Sequence, residues 1–224
     1  MFEVRTCVDR IQMPRNANEK LALLTGAVWG ANYNLQIAFV DGDLTLQERV
    51  KKAALEWTKH ALVNFVFVAD PKLADVRIAF SRRGSWSLIG KQANGVSKSE
   101  PTMNFGWLTL NSTDVEVSSV VLHEFGHALG CIHEHQHPAA GIPWNKQAVY
   151  DFYAGYPNYW TKDKVDTNIF NTYGADLTSH TAKPDPLSIM MYPIDKRLTD
   201  GTYEVGLNTV LSAGDIAFIK QIYQ

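Results

Sequence analysis

Residues 123–134 read His-Glu-Phe-Gly-His-Ala-Leu-Gly-Cys-Ile-His-Glu, and no other stretch limits so tightly what the chain can become. On a helix His123 and His127, four apart, leave the same face one turn from each other. That is the geometry two ligands need to reach one zinc ion at about 2.0–2.1 Å each. Glu124 lies between them, placed to act on a water at the metal without being a ligand itself. Gly130 lets the chain leave the helix through a left-handed turn that other residues enter only at a cost. After that turn His133 can swing back as a third ligand.

Chance is a poor account of this spacing. From the chain's own His and Glu frequencies, H-E-x-x-H arises by accident in about one such chain in a hundred. Requiring the later Gly and His as well lowers that to about one in fifty thousand. Five of the seven histidines also fall between 123 and 137, so the stretch is read as a zinc site and not as scattered core or surface histidines.

The remainder bounds the setting. A chain of 224 residues with 46% hydrophobic content can bury a sizeable core. A net charge of −2 gives no electrostatic case for nucleic acid or an anionic membrane. No run approaches the roughly 18 consecutive apolar residues of a membrane span. MFEVRTCVDR at the N-terminus has scattered charges and no apolar core, so it does not read as a signal peptide. Cys7 and Cys131 are too few for a disulfide scaffold.

Periodicity and turn residues predict a short helix over 17–26 and a strand in LQIAFVDGD, closed by Asp41-Gly42. A long helix follows, opened by a Thr45/Glu48 capping box and carrying Leu46, Val50, Ala53, Ala54, Trp57, Ala61 and Leu62 on one apolar face. Strands are expected at 64–69 and 75–80, around the Asp70-Pro71 turn. Residues 81–101 read as a loop or weak strand, and 102–110 as a short strand in which Gly106 marks a bulge or a close backbone approach. The zinc helix is expected after an Asp114 N-cap, running to Leu129. Beyond Pro138 the chain is irregular, with helical signal in 146–156, a turn near 161–170, and a final helix from Ser212 capped through Asp215. Strand, helix, strand, strand opens a twisted mixed sheet with a helix packed on it.

The full pattern H-E-x-x-H-x-x-G-x-x-H resembles that of the metzincin clan of zinc endopeptidases. Glu134 after the third histidine, together with Ser188-Ile189-Met190-Met191-Tyr192, which is similar to the Met-turn S-x-M-x-Y, points to the astacin family within it. The DGD turn, Ser85-Trp86, TMNFGW and LSAGD spread the resemblance over most of the chain. It implies an α+β, metzincin-type single catalytic domain over 1–224: a twisted mixed five-stranded sheet with two long helices, above an irregular C-terminal subdomain ending in a helix. The active-site cleft would divide residues 1–133 from 134–224. The implied activity is hydrolysis of internal peptide bonds in protein or peptide substrates, with one catalytic Zn2+ on His123, His127 and His133 and Glu124 as general base. Met190 would form the hydrophobic floor under the metal, and Tyr192 would approach it. The resemblance also implies a secreted, extracellular protein, with no nucleic-acid or membrane partner, working as a monomer. In this family the residue corresponding to Glu134 is linked to a new, buried N-terminus. The chain departs from the family in carrying Met191 where His is usual, and in having two cysteines where two disulfides are usual.

Several residues keep more than one reading. Tyr192 is a metal ligand or oxyanion donor, or a packed aromatic with a satisfied hydroxyl. Cys7 is a thiol that blocks the open zinc position, a partner of Cys131 in a disulfide, or a buried free thiol like Cys131. His135 and His137 are a second metal site or a hydrogen-bonded loop; His60 and His180 are structural. Residues 102–110 are the edge strand that takes an extended substrate, or an interior strand. The competing class is a latent or non-catalytic toxin-like binding module that keeps zinc for stability, against which an intact Glu124 argues.

Overall fold

A computed structural model describes residue 7 and residues 26–173 and 183–224. Residues 17–25 of the helix expected over 17–26, and His180, lie outside them.

Five strands form one sheet: β1 (Tyr33–Phe39), β2 (Val63–Phe67), β3 (Val76–Ala79), β4 (Ser85–Ser87) and β5 (Met103–Phe105), in the order β2-β1-β3-β5-β4. β2, β1, β3 and β5 run parallel, and β4 closes the edge antiparallel to β5. Parallel neighbours need a crossover, and α1 (Leu44–Ala54) supplies it between β1 and β2. Leu46, Val50 and Ala54 of α1, with Trp57 and Ala61 beyond it, are buried as their spacing predicts.

Two details of α1 differ from the expectation. Asp43, not Thr45, is the N-cap: its carboxylate accepts from Thr45 N at 2.8 Å, so the helix starts earlier and the Thr45/Glu48 box does not form. Leu62 is exposed: the helix ends at Ala54, and beyond it Trp57 and Ala61 still turn inward but Leu62 does not. Ser85–Ser87, read as loop or weak strand, is the sheet's edge, which leaves 102–110 with the interior β5. At Gly106 a Cβ would strike the carbonyl oxygens of Arg82 and Gly84, so the close backbone approach is real.

The second long helix, α2 (Asp114–Ala128), packs against α1 and the sheet through Val117, Val121, Leu122 and Phe125. Its N-cap is Thr113 and not Asp114: Thr113 Oγ1 accepts from Glu116 N, and Glu116 Oε2 accepts from Thr113 N, a complete capping box. Buried donors hold its C-terminal half in register. Trp57 Nε1 donates to Leu122 O at 3.0 Å, Trp29 Nε1 to Ala128 O at 2.8 Å, and Tyr223 Oη to Leu129 O at 2.7 Å.

The chain after α2 holds α3 (Lys146–Ala154), α4 (Lys162–Val165), which widens into a π-turn over Asp166–Phe170, and α5 (Ala213–Ile222). α5 is capped by Ser212 and Asp215 as their spacing predicts. Among the described residues no helix is long and apolar enough to cross a membrane.

Candidate metal centre

Where α2 ends, the backbone itself builds part of the site. Gly130 has φ +101°, Gly130 N donates to His127 O at 2.8 Å, and Cys131 N donates to Gly126 O at 2.9 Å. These two bonds are a Schellman turn, which needs a left-handed residue at that glycine. The turn presents Cys131 O to His127 Nδ1 at 2.9 Å. On the other side Ile189 O meets His123 Nδ1 at 2.8 Å. A carbonyl only accepts, so both rings carry their proton on Nδ1 and turn an Nε2 lone pair inward.

Those two Nε2 atoms face a third. His123 Nε2 lies 3.2 Å and His127 Nε2 3.1 Å from His133 Nε2. Four ligands at 2.0–2.1 Å from a tetrahedral ion are about 3.3 Å apart, so the spacing fits one zinc. A proton on His133 Nε2 serves one of the two facing nitrogens at a time, whereas one cation among the three would engage every lone pair. Burial foremost, with neighbouring His123 and His135, holds His133 well below the usual imidazole range, which keeps it neutral and able to ligate.

Glu124 is buried next to this cluster. Tyr192 is buried too, its ring 4.3 Å from those of His133 and His135 and 6.2 Å from that of His123. Met190 lies against α2: a Cβ on Gly126 would collide with its Sδ and come within 3.3 Å of Trp57. Gly126→Ala is therefore expected to destabilise the fold by about 1–3 kcal/mol, the usual cost of overpacking. Thermal unfolding of the metal-free chain checks it; an unchanged Tm would mean that Met190 moves aside freely.

Glu134 anchors the chain after the third histidine: its N–H donates to Met190 O at 3.0 Å, and its Oε1 accepts from Asp185 N at 2.8 Å. His135 and His137 are buried in a hydrogen-bonded loop, His135 Nε2 on Asn168 O at 2.8 Å and His137 Nδ1 accepting from Ala139 N at 3.0 Å. They form no second metal cluster among the described residues. His60 pairs with Glu56 at 3.4 Å, away from the site.

Cys7 and Cys131 are both buried and no disulfide joins them, which sets aside that one of the three readings of Cys7. They belong to different apolar clusters: Cys131 packs with α2 and the sheet, Cys7 with Trp86, Tyr153, Trp160 and Tyr192. Burial, with Asp215 and Glu134 adding, pushes the Cys131 thiol far above its usual range, as befits an inert core residue. Cys7 Sγ instead joins the three imidazoles, the four ligand atoms lying within 4.8 Å of one another. Cys7 Sγ also donates to Glu124 Oε2 at 3.3 Å, and Tyr192 Oη donates to Cys7 O at 2.5 Å.

Comparison with known proteins agrees with this geometry. The family model described as Astacin, a peptidase family, matches residues 26–224. The chain is similar to a solved structure of myroilysin, with 43% identity and a TM-score of 0.86 over 89% of this chain and 97% of that one. High choriolytic enzyme 1, a hatching enzyme zinc-protease from Oryzias latipes (Medaka fish), shares the fold at 19% identity and a TM-score of 0.60, over 87% of this chain and 93% of that one. Human Tolloid-like protein 1 is 25% identical over 233 residues, covering 96% of this chain; the chain spans only about a fifth (20%) of that relative's length.

Proposed function

The chain belongs to the astacin family of peptidases, and on that footing we propose that it is a zinc-dependent endopeptidase cutting internal peptide bonds of protein substrates. The observation that carries this reading is the triangle of imidazole nitrogens with Glu124 at its side. His123, His127 and His133 hold the metal, and residues 1–133 and 134–224 work as one catalytic domain with the cleft between them. Release outside the cell rests on the family alone.

Zinc, when bound, lowers the pKa of a coordinated water and polarises the scissile carbonyl. Glu124 takes the attacking water's proton and passes it to the leaving amine. Tyr192 donates its hydroxyl proton in a hydrogen bond to the oxygen on which negative charge develops. Tyr192→Phe should keep zinc and lower kcat by about tenfold or more, since removing one such donor commonly costs about 10²–10³. Unchanged kcat would make Tyr192 a packed aromatic only. β4 is the last strand of the sheet, and an extended substrate would add beside it as a further strand by backbone hydrogen bonds.

Peptide-library digestion with Glu124→Gln as control tests the activity. Native cleavage that the variant lacks is the expected result. Zinc without cleavage, even after N-terminal trimming, would favour the non-catalytic binding module.

A second reading concerns control and rests on Cys7. A thiol as fourth ligand gives zinc the closed tetrahedral set of a structural site, where three histidines alone leave a place for water. Chains in this arrangement are latent, and cleavage comes from the fraction whose fourth position is open.

A further inference from the structure

At the start of α5, Asp215 has more partners than a helix cap needs. In a capping box the third helical residue returns one bond to the N-cap N–H, and Asp215 does so, Oδ2 accepting from Ser212 N at 2.9 Å. The same Oδ2 also accepts from Ile189 N at 2.8 Å, and Oδ1 accepts from the Ser188 hydroxyl at 2.6 Å. Ser188 Oγ in turn accepts from Met190 N at 3.0 Å. The carboxylate is buried, with three donors converging on its two oxygens. A solvent-facing cap has no such arrangement.

The two extra bonds, with Ser188 Oγ holding Met190 N, fix the backbone on both sides of Ile189, whose carbonyl touches the metal cluster. Ile189 N is held by Asp215, and Ile189 O takes the Nδ1–H of His123 at 2.8 Å. We propose that Asp215 is a positioning residue for the metal: through Ser188 and Ile189 it sets the orientation and tautomer of the His123 ring. His127 needs no such help, since its partner carbonyl, Cys131 O, comes from the Schellman turn of its own helix. His123 depends on a carbonyl 66 residues away in sequence, so only a long-range anchor can hold it still. Asp215 links the C-terminal helix to the metal in this way. The inference rests on reading His123 as a ligand, and not on the proposed cleavage.

Outer partners of a ligating histidine are commonly worth about 10–100-fold in metal affinity. Asp215 acts one bond further out, so the lower end applies. The experiment is zinc affinity by competition with a chromophoric chelator, together with the electronic spectrum of the cobalt-substituted chain. Asp215→Ala should weaken zinc about tenfold and shift the cobalt spectrum. Ser212→Ala removes the hydroxyl that accepts from Asp215 N at 2.9 Å but leaves Ile189 and Ser188 on the carboxylate. It should lower Tm and keep zinc affinity within about twofold of native. If Asp215→Ala does not fold, Asp215→Asn decides: its amide keeps the shape but cannot accept from all three donors, so affinity should fall several-fold with the same spectral shift. Native affinity and spectrum in the Asp215 variant that folds, or equal losses in it and Ser212→Ala, would overturn the proposal. A native chain with no measurable zinc affinity would overturn it together with the metal reading of the histidines. Because the readout is metal binding, absence of peptide cleavage leaves the result interpretable.

Discussion

Glu124→Gln is expected to retain about one zinc per chain while losing about 10²–10⁴-fold in kcat, the usual contribution of a positioned acid–base group. On the barrier that is about 3–5.5 kcal/mol. Two features of the site separate chemistry from folding. Glutamine keeps the shape and hydrogen-bonding oxygen of the buried side chain, so α2 and its packing through Phe125 are undisturbed. The imidazoles are oriented by Ile189 O and Cys131 O, and neither bond passes through residue 124. Metal content should therefore survive, while the proton acceptor is gone. Zinc analysis and kcat on one preparation check this. Equal activity in the variant would sink the mechanism, and loss of zinc would move Glu124 from base to site scaffold.

What could be read from the sequence follows the range over which each feature is determined. The zinc motif is local: a helix spaces His123 from His127, and Gly130 allows the turn that returns His133. The Ser188–Tyr192 turn was legible through its resemblance to the Met-turn, and the Ser212/Asp215 cap through its spacing. β4 was not, because three residues, Ser-Trp-Ser, carry no period and become a strand only through pairing with β5. Nor was the start of α1, where the carboxylate of Asp43, two residues before Thr45, caps the helix. Asp215 was visible as a cap, but its hold on Ile189 spans 26 residues and has no sequence pattern. Cys7 is the extreme case. Nothing in its neighbours marks it, and its contact with Glu124 bridges 117 residues.

That contact leads to the second large effect: Cys7→Ala is expected to raise kcat/KM by at least about tenfold. Cys7 engages each group the reaction needs. Its Sγ stands with the three imidazole nitrogens, where water would otherwise complete the tetrahedron. Without metal the thiol donates to Glu124 Oε2 at 3.3 Å; as a thiolate ligand it would leave its proton on that carboxylate, so the base is occupied either way, and the Cys7 carbonyl takes the Tyr192 hydroxyl at 2.5 Å. Activity scales with the fraction of chains whose fourth position is open, and a tether of only about 1.4 kcal/mol closes nine in ten. A thiolate is a far better zinc ligand than a hydroxyl, so Cys7→Ser should be released almost as fully as Cys7→Ala. Three histidines remain in both variants, so zinc content should stay near one per chain. Cobalt substitution separates ligation from simple obstruction: the native chain should show a sulfur-to-metal charge-transfer band that both variants lack. A native chain without that band, joined to unchanged rates in Cys7→Ala, would remove the latency reading and leave Cys7 as a packed thiol beside an open metal site.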